Sequence, residues 1–163
     1  MAKVMKVSRG GRDEDFIDIG GCMLEVVDNF KYLGSTVTSD NGVKEEEKIR
    51  IAAASRCSWA INEVLKSKLL SRGTRTQAYV TIIRPVATYG CETWRLTQEL
   101  ERMLTVFENG ILRRIYGPVR DADTGEWRRR HNIELRELSR LPPITSHIRS
   151  QRLKPQSHYS GVR

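Results

Sequence analysis

Residues 97–118 constrain the fold most, because they spell out a whole helix together with both of its ends. Thr97 can accept a hydrogen bond from the first turn, Glu99 and Glu101 set acid at the positive end of the dipole, and Gly117-Pro118 stops the helix. Between them Leu100, Met103, Leu104, Phe107, Ile111 and Ile115 recur at three- and four-residue steps. That spacing makes one apolar stripe, which other elements must cover.

The partners are legible upstream and downstream. From Asn41 the period is helical: Asp40 or Asn41 can cap, Glu45, Glu46 and Glu47 fill the first turn, and Glu46 stands four residues from Arg50. Ile49, Ala53, Cys57, Ala60 and Val64 form a face of mostly small residues, expected to let another helix come close. A second helix is expected over residues 75–84 and must end or kink at Pro85, followed by a short apolar segment, residues 86–94. The first forty residues read instead as strands. Residues 15–19 and 22–27 flank Gly20-Gly21, Asp28-Asn29 offers a second turn, and residues 30–38 give a third strand interrupted by Gly34. After Pro118 come a polar linker over residues 119–126, a short helix capped by Asn132, Pro142-Pro143, and a last helix ending near Leu153. The expected fold is mainly α with a small β meander (α+β), an N-terminal three-stranded antiparallel unit followed by a helical bundle. Its regions are a β meander (1–40), a helical bundle (41–118), a basic helical region (119–153) and a disordered tail (154–163).

Charge narrows the function. The chain of 163 residues carries a net charge of +8, so an anionic partner comes first. Residues 112–163 hold twelve Lys and Arg against five acids, which is nearly the whole excess, and eleven of the twelve are Arg. Arginine's planar fork matches phosphate and stacks on bases. No run approaches the roughly eighteen apolar residues of a membrane span, and the start has no apolar leader, so the expectation is an intracellular chain, nuclear or cytoplasmic, neither membrane-bound nor secreted.

Catalytic constellations are missing from the pattern. There is no P-loop, no G-x-S-x-G, no H-E-x-x-H, and Cys22, Cys57 and Cys91 lack the spacing of a disulfide framework or zinc site. His131, His147 and His158 have no ligand cluster beside them, and Asp13-Glu14-Asp15, Glu45 to Glu47 and Asp121/Asp123 read as solvated or capping acids. No catalytic residue, metal site or small-molecule substrate is assigned.

Three strings carry more than composition: Phe30-Lys31-Tyr32-Leu33-Gly34; Arg84-Pro85 leading into Tyr89-Gly90-Cys91-Glu92-Thr93-Trp94; and Leu112-Arg113-Arg114-Ile115-Tyr116-Gly117. The first reads as an edge strand whose Lys31 and Tyr32 face opposite ways and whose Gly34 admits a close backbone. The second reads as a packed corner between helices in preference to a ligand contact, since buried Tyr and Trp mostly serve packing. In order with Lys3-Val4-Met5 and Glu47-Lys48-Ile49-Arg50-Ile51, and with the third string extended back to Glu108, they resemble the C-terminal half of reverse transcriptases of non-LTR (LINE-type) retrotransposons, the kind fused to an endonuclease. The likeness runs to about Leu153.

The resemblance implies a location within that enzyme, an RNA-directed DNA polymerase. Phe30, Lys31, Tyr32, Leu33 and Gly34 would match the primer grip at the end of the palm, and residues 43–116 the thumb that clasps template–primer duplex. A hybrid duplex is held through its backbone and shape, which makes Arg113, Arg114, Arg128, Arg129, Arg130, Arg149 and Arg152 the candidate phosphate contacts. The family's aromatic-x-Asp-Asp strand does not occur in the sequence, so the Mg2+ of the full enzyme would be bound outside this segment, by a fingers and palm half that could be a partner. The family's closing string begins at Arg152-Leu153-Lys154 and then loses its Trp, which reads, with Met1 just before Lys3, as a truncated or decayed gene. The competing expectation is a non-enzymatic relic or domesticated helical module that binds protein.

Overall fold

The computed structural model describes residues 3–5, 15–32, 35–38, 43–122 and 124–153. The chain is mainly helical with a small β component, the expected fold class, and forms two compact units, Met1–Ile49 and Arg50–Arg163. Among the described residues no helix is long and apolar enough to cross a membrane.

In the first unit, β1 (Lys3–Val4), β2 (Phe16–Ile19) and β3 (Cys22–Val26) form one sheet in the order β1-β3-β2. The turn between β2 and β3 uses Gly20 and Gly21 at φ +64° and +82°, the conformation only glycine adopts freely. The Gly21 N–H also donates to Asp18 Oδ1 at 2.9 Å. Two details differ from the expected antiparallel meander. The β1 strand pairs with β3 in parallel, Lys3 opposite Glu25. The strands β4 (Asn29–Tyr32) and β5 (Ser35–Thr38) do not extend this sheet but pair with each other antiparallel, Tyr32 with Ser35. Antiparallel neighbours so close in the chain can pair with each other directly rather than adding to the first sheet. Leu33 and Gly34, and the expected cap at Asp40 or Asn41, lie outside the described residues, as does the tail from residue 154.

The helical part comprises α1 (Val43–Ala60), α2 (Asn62–Lys66), α3 (Arg72–Ala78), α4 (Arg84–Ala87), α5 (Gln98–Tyr116), α6 (Asn132–Ser139) and α7 (Ile144–Leu153), with a small hairpin of β6 (Val119–Arg120) and β7 (Trp127–Arg128). The stripe of α5 is buried as expected, with Leu100, Leu104, Ile111 and Ile115 in the core and Phe107 packed at its edge. Thr97 accepts from the Leu100 N–H at 3.2 Å, and Gly117 closes the helix at φ +68°.

Four expectations are corrected here. From α1 to α2 the inner face is Ile51, Ala54, Cys57, Ser58, Ile61 and Leu65, so Cys57 packs as expected, whereas Ala60 and Val64 face solvent. Ser58 can be buried because its hydroxyl donates to the Ser55 carbonyl at 2.8 Å and accepts from Arg114. Pro85 does not end its helix: α3 runs through a π-helical turn, Tyr79–Ile83, directly into α4. The wider turn fits a residue that has no N–H to give and whose ring would crowd the carbonyl four residues back. Residues 119–126 are not a plain linker, since the Asp121 N–H donates to the Glu126 carbonyl and Val119 pairs with Arg128 across the β6–β7 hairpin. The α6 cap is His131, one residue before the expected Asn132, because the His131 N–H donates to Glu134 Oε2 at 2.7 Å.

One buried carboxylate fixes these helices against each other. Glu108, on the inner face of α5, is fully buried and accepts from Tyr79 Oη (2.8 Å), Arg136 Nη1 (2.6 Å) and the Ile144 N–H (3.1 Å), with Arg84 Nη2 3.9 Å away. It thus joins α5 to the π-helical turn, α6 and the start of α7, and Arg84 continues the network to the Pro142 carbonyl at 2.7 Å. Burial above all, and then the Glu108 charge, push the Tyr79 phenol far up, so that it remains a neutral donor. Tyr116 makes a second tie, sharing a hydrogen bond with Thr76 (3.1 Å) and donating to the Leu138 carbonyl (3.2 Å).

Candidate nucleic-acid interface

The last two turns of α5, the lead into β6 and the β7 strand enclose a cleft of about 540 Å³. Gly110 and Gly117 leave its floor low, and Lys66, Arg113, Arg114, Arg129, Arg130 and Trp127 stand around it. Arg128 is also at its wall, and no carboxylate lines it. An adjoining cleft of about 510 Å³ shares Arg113, Arg129 and Arg130 and adds His131, Asn132 and the almost fully buried Asn109, whose Oδ1 has no hydrogen-bond partner.

The sequence-chosen arginines fall into distinct groups. Arg128 is held at half-exposure by Asp121 (3.1 Å) and by a bidentate pair with Glu134 (2.7 and 3.1 Å), so its charge is balanced within the fold. Arg149 pairs with Glu101, away from the cleft. Arg152 is exposed at the end of α7, also apart from it. The other four converge. Arg113 donates to the Arg130 carbonyl (3.3 Å) and Asn132 Oδ1 (2.6 Å), and Arg130 donates to the Gly117 carbonyl (3.2 Å), all neutral acceptors that orient the guanidinium groups without cancelling their charge. Arg114 lies over the Trp59 ring, 4.1 Å from its centroid, and donates to Ser58 Oγ at 3.1 Å. Arg129 is exposed and has no partner among the described residues. Desolvation first, and the nearby Arg129 charge second, pull the Arg113 guanidinium below its ordinary value. Like charges held this close are relieved by an anion.

Lys66 escaped the sequence reading. It ends α2, is exposed and reaches the same cleft, but nothing in its neighbourhood of the sequence marks it among the lysines of residues 62–68. Glu108 was missed too, although its signal was present: it interrupts the apolar stripe four residues from both Leu104 and Leu112, where a lone carboxylate must find buried partners. The aromatic string resolves into packing, because Trp94 and Cys91 are buried beside the left-handed Gly90 while Tyr89 is half-exposed under Arg50 at 4.4 Å. Of the primer-grip-like residues, Phe30, Lys31 and Tyr32 lie on β4 in the other unit.

Glu134 gives a pH-dependent expectation. The Arg128 fork, and then the His131 N–H, hold its carboxyl down at about 2, below the usual carboxylate value. Its contribution to stability is therefore complete above the ordinary carboxylate range and is lost as pH falls toward that lower value. Urea midpoints taken at pH about 5 and about 2.5 should fall more in the parent chain than in Glu134→Gln. Parallel midpoints would show that the pair does not hold the hairpin to α6.

No family model matches the chain, and neither a curated protein nor a solved structure does. Among the described residues no group of three or more His, Cys, Asp and Glu side chains comes together, so no step through a metal is assigned to them.

Proposed function

We propose that residues 43–116, with the basic region 119–153 that follows them, are a nucleic-acid clasp, the thumb-like part and the start of the post-thumb region of a non-LTR retrotransposon reverse transcriptase, holding a template–primer hybrid by its backbone. The observation that carries this reading is the cleft in which Lys66, Arg113, Arg114, Arg129 and Arg130 meet with no acid among them. Five cations around one depression favour a polyanion over an acidic side chain. The ordered strings supply the family. In this reading these residues do not polymerise by themselves, the Mg2+ and catalytic carboxylates belong to a fingers and palm half outside them, and the protein works inside the cell, in nucleus or cytoplasm.

The test is titration of the intact chain with RNA–DNA hybrids of equal length and unrelated sequence. Affinities should agree within about twofold, because phosphate contacts carry no sequence information. A preference above about tenfold would mean that base edges are read and would remove the clasp reading.

A further inference from the structure

Resting on that reading, we infer that, besides the duplex backbone gripped by its cations, the cleft takes an unpaired stretch of nucleic acid, one base of which stacks on Trp127. Trp127 is 71% exposed although indole is the largest apolar side chain, and it stands at the wall of a cation-lined cleft. Its backbone is not loose. Trp127 pairs with Arg120 across the β6–β7 hairpin, the Arg120 guanidinium donates to the Gly125 carbonyl at 2.8 Å, and the next residue, Arg128, is tied to Asp121 and Glu134. The ring is thus presented by a braced support, so that little ordering has to occur when something lies on it.

A second flat surface lines the same cleft. The Arg114 guanidinium lies over Trp59, itself 61% exposed, with its Cζ 4.1 Å from the ring centroid, and donates to Ser58 Oγ. Guanidinium planes and indole rings are the two surfaces on which unstacked bases settle, and phosphates between such bases find cations alongside. In a duplex each base is covered on its faces by the neighbouring base pairs of the stack, so a duplex offers neither surface a free face except at its end. The depression suits the same occupant: about 540 Å³ accommodates a nucleotide-sized group, while a duplex can touch only the cations around it. Gly110 completes the argument, since a Cβ built on it meets no atom within 4 Å and would project into open space.

The experiment compares single-stranded oligo(dT) and oligo(U) of about twelve nucleotides with a hybrid duplex of the same length, for the parent chain, Trp127→Ala and Gly110→Leu. Trp127→Ala should weaken single-strand binding by roughly 5- to 150-fold while changing hybrid affinity less than about twofold. Gly110→Leu should act in the same direction by filling the floor, and since Trp127 is exposed and the Gly110 Cβ unobstructed, both variants should keep the parent's circular dichroism. Hybrid binding with single-strand affinity untouched by both variants would overturn the stacking inference and leave the clasp standing. Failure of all three probes at about 50 mM salt would overturn the clasp, and this inference with it.

Discussion

Glu108→Ala is expected to lower the unfolding free energy by about 3–5 kcal/mol, the cost of removing one partner from a buried charged network. The carboxylate is fully buried and receives three hydrogen bonds, so its loss strands several groups at once. Arg136 keeps a quarter of its side chain in solvent and can turn outward, whereas Arg84, at 6%, can keep only its bond to the Pro142 carbonyl. The Tyr79 hydroxyl and the Ile144 N–H would remain in the core without acceptors, each costing about 1–3 kcal/mol. Glu108→Gln should fall between, because an amide can still accept from Tyr79 but presents an NH2 where Arg136 and Ile144 both donate. Urea denaturation followed by circular dichroism reads both variants. Against a typical domain stability of about 5–15 kcal/mol, the alanine form should be partly unfolded at 37 °C. A loss under about 1 kcal/mol would show that Glu108 does not fix the helices that shape the cleft.

The second large effect is on binding. Lys66→Ala combined with Arg129→Ala should flatten the salt dependence of hybrid binding by about 1.5–2 units of log–log slope, and weaken binding roughly 10- to 100-fold at 0.1 M salt. These two cations are exposed, without partners among the described residues, and far apart in the chain, so their removal strips charge from the cleft while leaving the fold's own bonds in place. Arg128→Ala makes the contrast. Its charge is already balanced by Asp121 and Glu134, so the slope should hardly change while the hairpin loosens. Equal slope changes for Arg128 and Arg129 would mean that the internal ion pairs open when nucleic acid arrives.

How far the sequence alone reached follows physical lines. The α5 helix was legible from cap to stop because its signals are local: a threonine, two acids, a stripe and Gly117. So were the Gly20-Gly21 turn and the mainly helical fold class. The inner face of α1 was misplaced by about one position because the face holds Ala54 and Ser58, residues whose burial depends on a hydroxyl finding Ser55 rather than on hydrophobicity. At Pro85 the local rule allowed an end or a kink, and the helix does not end there because α3 passes through a π-helical turn into α4. The candidate site was half legible. Composition pointed to the Arg-rich last third, yet which guanidinium is free depends on long-range pairs such as Arg149 with Glu101, and on the bidentate Glu134 that takes Arg128. Lys66 could enter only through tertiary structure, because the cleft it lines is assembled from positions more than forty residues apart in the chain.

The central claim, that this chain grips nucleic acid through phosphate contacts in one cleft, is tested most directly by fluorescence anisotropy of a labelled RNA–DNA hybrid at salt concentrations between about 50 and 200 mM. Five cations at the cleft predict a linear fall of log affinity with log salt, with a slope of about −3 to −4.5 depending on how many reach phosphate. Absence of binding at the lowest salt, or an affinity that does not respond to salt, would contradict it.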